Sequence, residues 1–149
     1  MVDGELISRK LSQLRQYTDE LRQADDINWE KYRSDTRSRA FVERYLHLAI
    51  EEVMDISNHI ISFYQWREPE SFRDIFQVLS ENGVIPAQAL HSFQNMASFR
   101  NMLVHRYERI EDELVFGIFK KRLSDFYYFI DVIKSWLESI RPSHETSDE

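Results

Sequence analysis

Cysteine is absent from this 149-residue chain. Disulfides, thiolate metal sites and a cysteine nucleophile are thereby excluded, and a reducing compartment is compatible. Glycine and proline are scarce, at three each, so tight turns are few and long helices joined by short loops are expected. No stretch approaches the roughly 18 uninterrupted apolar residues of a membrane span. The opening MVDGELISRKLSQ carries no sustained apolar core either, so a cytoplasmic protein without membrane contact is expected. Positive charge is also in deficit: 19 Lys and Arg against 26 Asp and Glu give a formal net charge of -7. Such a field repels phosphates, so any RNA site must be local.

What the chain does have is apolar residues at helical spacing. Its length suits one domain with a real core, and residues 1–141 are read as that domain, with the polar PSHETSDE forming a flexible tail over 142–149. Leu6, Leu14, Tyr17 and Leu21, with Ile7 and Leu11 alongside, mark a helix from about Glu5 to Gln23. DDINWEKYRSDTRSR reads as polar and irregular, with Asp35 or Thr36 able to cap the next helix. That long helix, from about Ser38 to Trp66, buries Phe41, Tyr45, Leu48, Ile56, Ile60 and Phe63, and ends at Glu68 and Pro69. Ser71 caps a short helix that Gly83 terminates, and Pro86 opens another. A last helix runs to about Ile140 on Leu123, Phe126, Ile130, Ile133 and Trp136. The expected fold is all-α, an antiparallel up-and-down four-helix bundle with one additional short helix.

The helix after Pro86 carries MASFRNMLVHRY, which places Arg100, Asn101, His105 and Tyr107 within eight positions. With Arg100 at zero and about 100° per residue, Tyr107 falls near 340°, Asn101 near 100° and His105 near 140°. Met96, Phe99 and Leu103 cluster at roughly 260° to 320° on the same wheel. Arg100 and Tyr107 therefore border the buried seam, while His105 points away from it. A guanidinium at such an edge can offer a fixed fork to a phosphate, and an imidazole can move a proton near neutrality. Their angular separation keeps one helix from gripping a single substrate with both groups. Two copies facing each other across a twofold axis would frame a cleft with one imidazole as base and the other as acid. By spacing alone, an ordinary polar helix edge explains the same residues.

The stretch FRNMLVHRY resembles the signature of the HEPN superfamily in the form of its HepT toxin branch: Arg, a polar residue, then His, with Tyr two positions later. LAIEEVMDISNHIISF, FQVLSENGVIP and MASFRNMLVHRY occur in the branch's order, so the resemblance covers about Leu48 to Tyr107. It implies a dimerising helical bundle and an endoribonuclease toxin needing neither metal nor cofactor. Arg100 and His105 match its catalytic pair, and Asn101 its usual polar neighbour. Tyr107 matches the tyrosine that a cognate minimal nucleotidyltransferase antitoxin modifies with AMP. The implied partners are an RNA substrate, that antitoxin and a second copy of the chain. Two other functions stay open, a noncatalytic nucleotide- or substrate-binding subunit of a nucleotidyltransferase and a structural helical adaptor.

Glu51, Asp55 and His59 share a face of the long helix at i, i+4 and i+8. They could ligate a metal or support the active helix, with Asp55 and His59 in a supporting role near the cleft; hydrogen bonding within the bundle is the plainer alternative. His47, His91 and His144 show no partner in the sequence. Lys31, Arg33, Arg37, Arg39 and Arg44, with Lys120, Lys121 and Arg122, could guide RNA or form solvated faces paired with carboxylates. In FYYFI, Phe126, Tyr127 and Ile130 fit core spacing and leave Tyr128 and Phe129 for an interface.

Overall fold

The computed structural model describes residues 2–104 and 112–141. His105, Tyr107 and the tail lie outside the described residues. Those described form seven α-helices and one 3-10 turn: α1 (Gly4–Gln23), α2 (Trp29–Ser34), α3 (Thr36–Tyr64), α4 (Phe72–Glu81), the turn Ala87–Ala89, α5 (Leu90–Val104), α6 (Asp112–Lys121) and α7 (Leu123–Ser139). The all-α class is as expected, but the helix count is higher, for two physical reasons.

First, α2 forms inside the segment read as irregular. Asn28 caps it by accepting from the Lys31 N–H at 2.8 Å. Trp29 and Tyr32, stacked at 6.0 Å, pack against Phe116 of α6 at 5.4 Å each. Tyr32 is fully buried and gives its hydroxyl proton to Glu43, so an aromatic anchor holds a short helix that propensity alone would not. Second, the last helix is two helices divided at Arg122, whose φ of -121° and ψ of 8° leave the helical region. On one side α6 packs on α2, α3 and α5; on the other α7 packs mainly on α1. Competing partners break a run that contains no proline.

The 29-residue α3 is the axis and touches every other α-helix. Its buried stripe is Val42, Leu46, Ala49, Ile50, Val53, Ile56 and Ile60. The aromatic residues expected there lie at its margins: Phe41 and Tyr45 are half-buried, their rings tilted against each other at 4.7 Å, and Phe63 is 42% exposed. The smaller aliphatic side chains fill the seam because six helices crowd this one. Phe129 is also reassigned, from interface to core, with no exposed surface and its ring 5.4 Å from Phe93; Tyr128 beside it is 36% exposed.

The end of α3 positions the functional site. The helix stops before Pro69, at Gln65, whose φ of 56° is left-handed. The Trp66 N–H donates back to the Ile61 carbonyl at 3.2 Å, and its ring stacks on Tyr64 at 4.9 Å. Arg67 then clamps the connection to α4, bidentate to Asp74 at 2.7 and 2.9 Å and doubly bonded to Glu81 at 3.0 Å. Ser71 caps α4 as expected, accepting from the Asp74 N–H at 3.1 Å, and Gly83 supplies the left-handed φ of 78° after the helix. The clamp and cap together fix Phe72, the first residue of α4.

Candidate functional site

Arg100 emerges from α5 at the rim of the core, beyond buried Phe93, Met96, Ala97 and Leu103, and its side chain is 26% exposed. The helical wheel anticipated this edge position. Two contacts immobilise the guanidinium. Its Nε donates to Glu51 Oε2 on α3 at 3.2 Å, and its Cζ lies 4.2 Å from the centre of the Phe72 ring. Among the described residues, a carboxylate on Nε and a ring on the planar face leave the two terminal amino groups as the guanidinium's remaining donors, the geometry in which a fork addresses a phosphate.

Glu51 is shared. The same Oε2 lies 3.2 Å from His47 Nε2, one helical turn earlier on α3. A carboxylate oxygen only accepts, so this contact requires the proton on Nε2 and leaves Nδ1 as the imidazole's second site. The sequence showed no partner for His47; the structure gives it Glu51, whose other donor, Arg100, is 49 residues further along the chain.

The other expected site residues divide. Asn101 is exposed and, with Ser98, Asn58, Phe72 and Arg73, borders an open cleft of about 500 Å³ between α3, α4 and α5. Asp55 is placed with Lys10 of α1, 3.8 Å away, and the same ammonium lies 3.8 Å from Glu52. His59 is half-buried, and its Nε2 has no hydrogen-bond partner among the described residues. Neither Asp55 nor His59 bonds Arg100 among the described residues; the acidic support comes from Glu51. Burial pushes the Glu52 carboxyl above its usual range, Lys10 opposes that, and Asp55 reinforces it. Among the described residues no group of three His, Asp or Glu side chains is placed to hold a metal ion.

The basic clusters resolve toward pairing. Lys31 bonds Asp26 at 3.0 Å, Arg33 bonds Glu30 at 2.8 Å, and Arg39 bonds Asp112 at 3.1 Å. These three cations sit on nearby carboxylates, as Arg100 does on Glu51. Among the described residues no helix is long and apolar enough to cross a membrane.

Among the described residues every element is helical, and Arg100 at the rim of the core opens the Arg-polar-His pattern, the features of a HEPN-class protein. The family model for ribonuclease HepT-like proteins matches residues 7–133, and the chain belongs to that family. It is 36% identical over 90 residues to the mRNA nuclease HepT of Shewanella oneidensis, a match covering 60% of this chain and 68% of that protein. It is 22% identical to the tRNA nuclease HepT of Aphanizomenon flos-aquae over 97% of this chain and 98% of that one. Among solved structures, the tri-AMPylated Shewanella oneidensis HEPN toxin in complex with its MNT antitoxin superposes with a TM-score of 0.78. That match has 28% identity and covers 89% of this chain and 99% of the toxin.

Proposed function

We propose that the protein is an endoribonuclease toxin of a toxin–antitoxin module, silenced when a cognate minimal nucleotidyltransferase attaches AMP to Tyr107. Family membership supports the class of activity, and the observation that carries the reading to this chain is Arg100 at the rim of the core, held through Nε by Glu51 and across its face by Phe72. In the proposed reaction His105 removes the proton from a ribose 2′-hydroxyl. The 2′-oxygen attacks the adjacent phosphorus, and Arg100 stabilises charge on the nonbridging oxygens. The bond to the 5′-oxygen breaks, and an imidazole of a second copy protonates that oxygen. The products are a 2′,3′-cyclic phosphate and a 5′-hydroxyl end.

Asn101, beside Arg100 at the cleft, orients the phosphate or the imidazole. A homodimer brings two such edges together, which reconciles the angular separation of Arg100 and His105 on one helix. AMP on Tyr107, seven positions after Arg100 in the sequence, adds bulk and negative charge that oppose RNA by sterics and by repulsion. The reaction uses no metal, and a cytoplasmic location gives access to its substrate. The test is cleavage of RNA by the purified dimer in excess chelator, with His105→Ala as the control. Cleavage that stops in the variant supports the assignment. Nucleotide binding without cleavage would favour a binding subunit, and cleavage surviving in the variant would overturn the role of His105.

A further inference from the structure

We propose that Glu51 and His47 are positioning residues of the ribonuclease site: Glu51 aims the Arg100 guanidinium and His47 holds the Glu51 carboxylate in place. This rests on the endoribonuclease reading and extends it to α3. Arg100 Nε and His47 Nε2 both lie 3.2 Å from one atom, Glu51 Oε2. Two donors on a single carboxylate oxygen fix its position more firmly than either alone, and the Nε bond sets the rotation of the guanidinium about its stem. The Phe72 ring at 4.2 Å sets its tilt. With both constraints present, the terminal amino groups point one way before substrate arrives, and stabilising charge on phosphorus needs no reorganisation.

The carboxylate also has a cost that His47 reduces. A negative charge 3.2 Å from the guanidinium stands near where a phosphate must bind, and the imidazole's N–H draws part of its density away. The side chains of His47 and Glu51 are 36% and 39% exposed, so neither is required to fill the core. Among the described residues, the hydrogen bond that His47 makes is the one to Glu51.

The test is a double-mutant cycle on the full chain, read in two ways. The first reading is steady-state cleavage of an RNA oligonucleotide. Glu51→Ala is expected to lower kcat about 10- to 100-fold with little change in KM, because the interaction it supports strengthens in the transition state. Glu51→Gln, which can still accept from Nε, recovers part of that loss. His47→Ala lowers kcat less, His47→Gln restores it, and His47→Ala has no further effect in the Glu51→Ala background. The second reading is the Arg100 Nε–H resonance in a labelled sample, protected from solvent exchange in the parent protein and lost in Glu51→Ala.

Wild-type kcat in Glu51→Ala, or full additivity of the two alanine substitutions, would overturn the relay. So would an Nε–H signal unchanged in Glu51→Ala. If the parent protein cuts no RNA, the ribonuclease reading fails by itself, and the resonance still decides whether Glu51 fixes Arg100.

Discussion

Phe72→Leu isolates the ring beneath Arg100. Leucine keeps an apolar side chain at the start of α4, where Phe72 is half-buried against the core, but removes the π-face that the guanidinium covers at 4.2 Å. Cation–π contacts range from about 0.5–1 kcal/mol when exposed to about 2 kcal/mol when desolvated. Arg100, at 26% exposure, lies between those limits, so about 1 kcal/mol of orientation is at stake. If that energy acts on the transition state, kcat/KM falls roughly five-fold, since each 1.36 kcal/mol is about a factor of ten. Glu51 and His47 remain bonded, so the loss stays well below that of Arg100→Ala, which removes an oxyanion donor worth about 10²- to 10³-fold. The assay is cleavage of a fluorogenic RNA oligonucleotide, with thermal melting as a control for folding. A folded Phe72→Leu protein with activity within about two-fold of the parent would refute a role for the ring in holding Arg100.

Three further outcomes are expected from the packing. The Asp74 carboxyl is held down at about 2, from an ordinary value of 3.8, chiefly by Arg67 and then by the Glu70 N–H. A lowered folded-state value gives stability that is present above pH 3.8 and disappears as pH falls toward 2. The melting difference between the parent and Arg67→Ala should therefore close across that interval; a difference constant over it would contradict the clamp. Phe129→Ala should destabilise by about 3–5 kcal/mol in denaturant melts because the ring is fully enclosed beside Phe93. Tyr128→Ala, at a 36% exposed neighbour, should cost much less, and the reverse order would restore the interface reading of Phe129.

Much of this was legible in the sequence where a single helix decides the outcome. The edge position of Arg100 comes from the period of α5 alone, and the Ser71 cap and Gly83 terminator are local backbone chemistry. What spacing could not reveal was set by contacts between distant segments. Trp29 and Tyr32 look like isolated aromatics in a polar stretch until Phe116 arrives from α6. The break at Arg122 reflects different partners for α6 and α7 rather than a local signal. In the sequence, the supporting role fell to Asp55 and His59 rather than to Glu51, one turn from Asp55 on the same face. Asp55 is placed with Lys10 of α1, and Glu51 with Arg100. Helix phase is written locally; which carboxylate meets which cation is not.

The proposed chemistry is attack by a ribose 2′-hydroxyl on its own phosphate, and RNA ends report it directly. An oligonucleotide cut at one bond in excess chelator should yield a 2′,3′-cyclic phosphate and a 5′-hydroxyl by mass. Replacing the single 2′-hydroxyl at that bond with hydrogen should abolish the cut. Cleavage of the deoxy-substituted bond, or products bearing a 5′-phosphate, would contradict the roles assigned to Arg100 and His105.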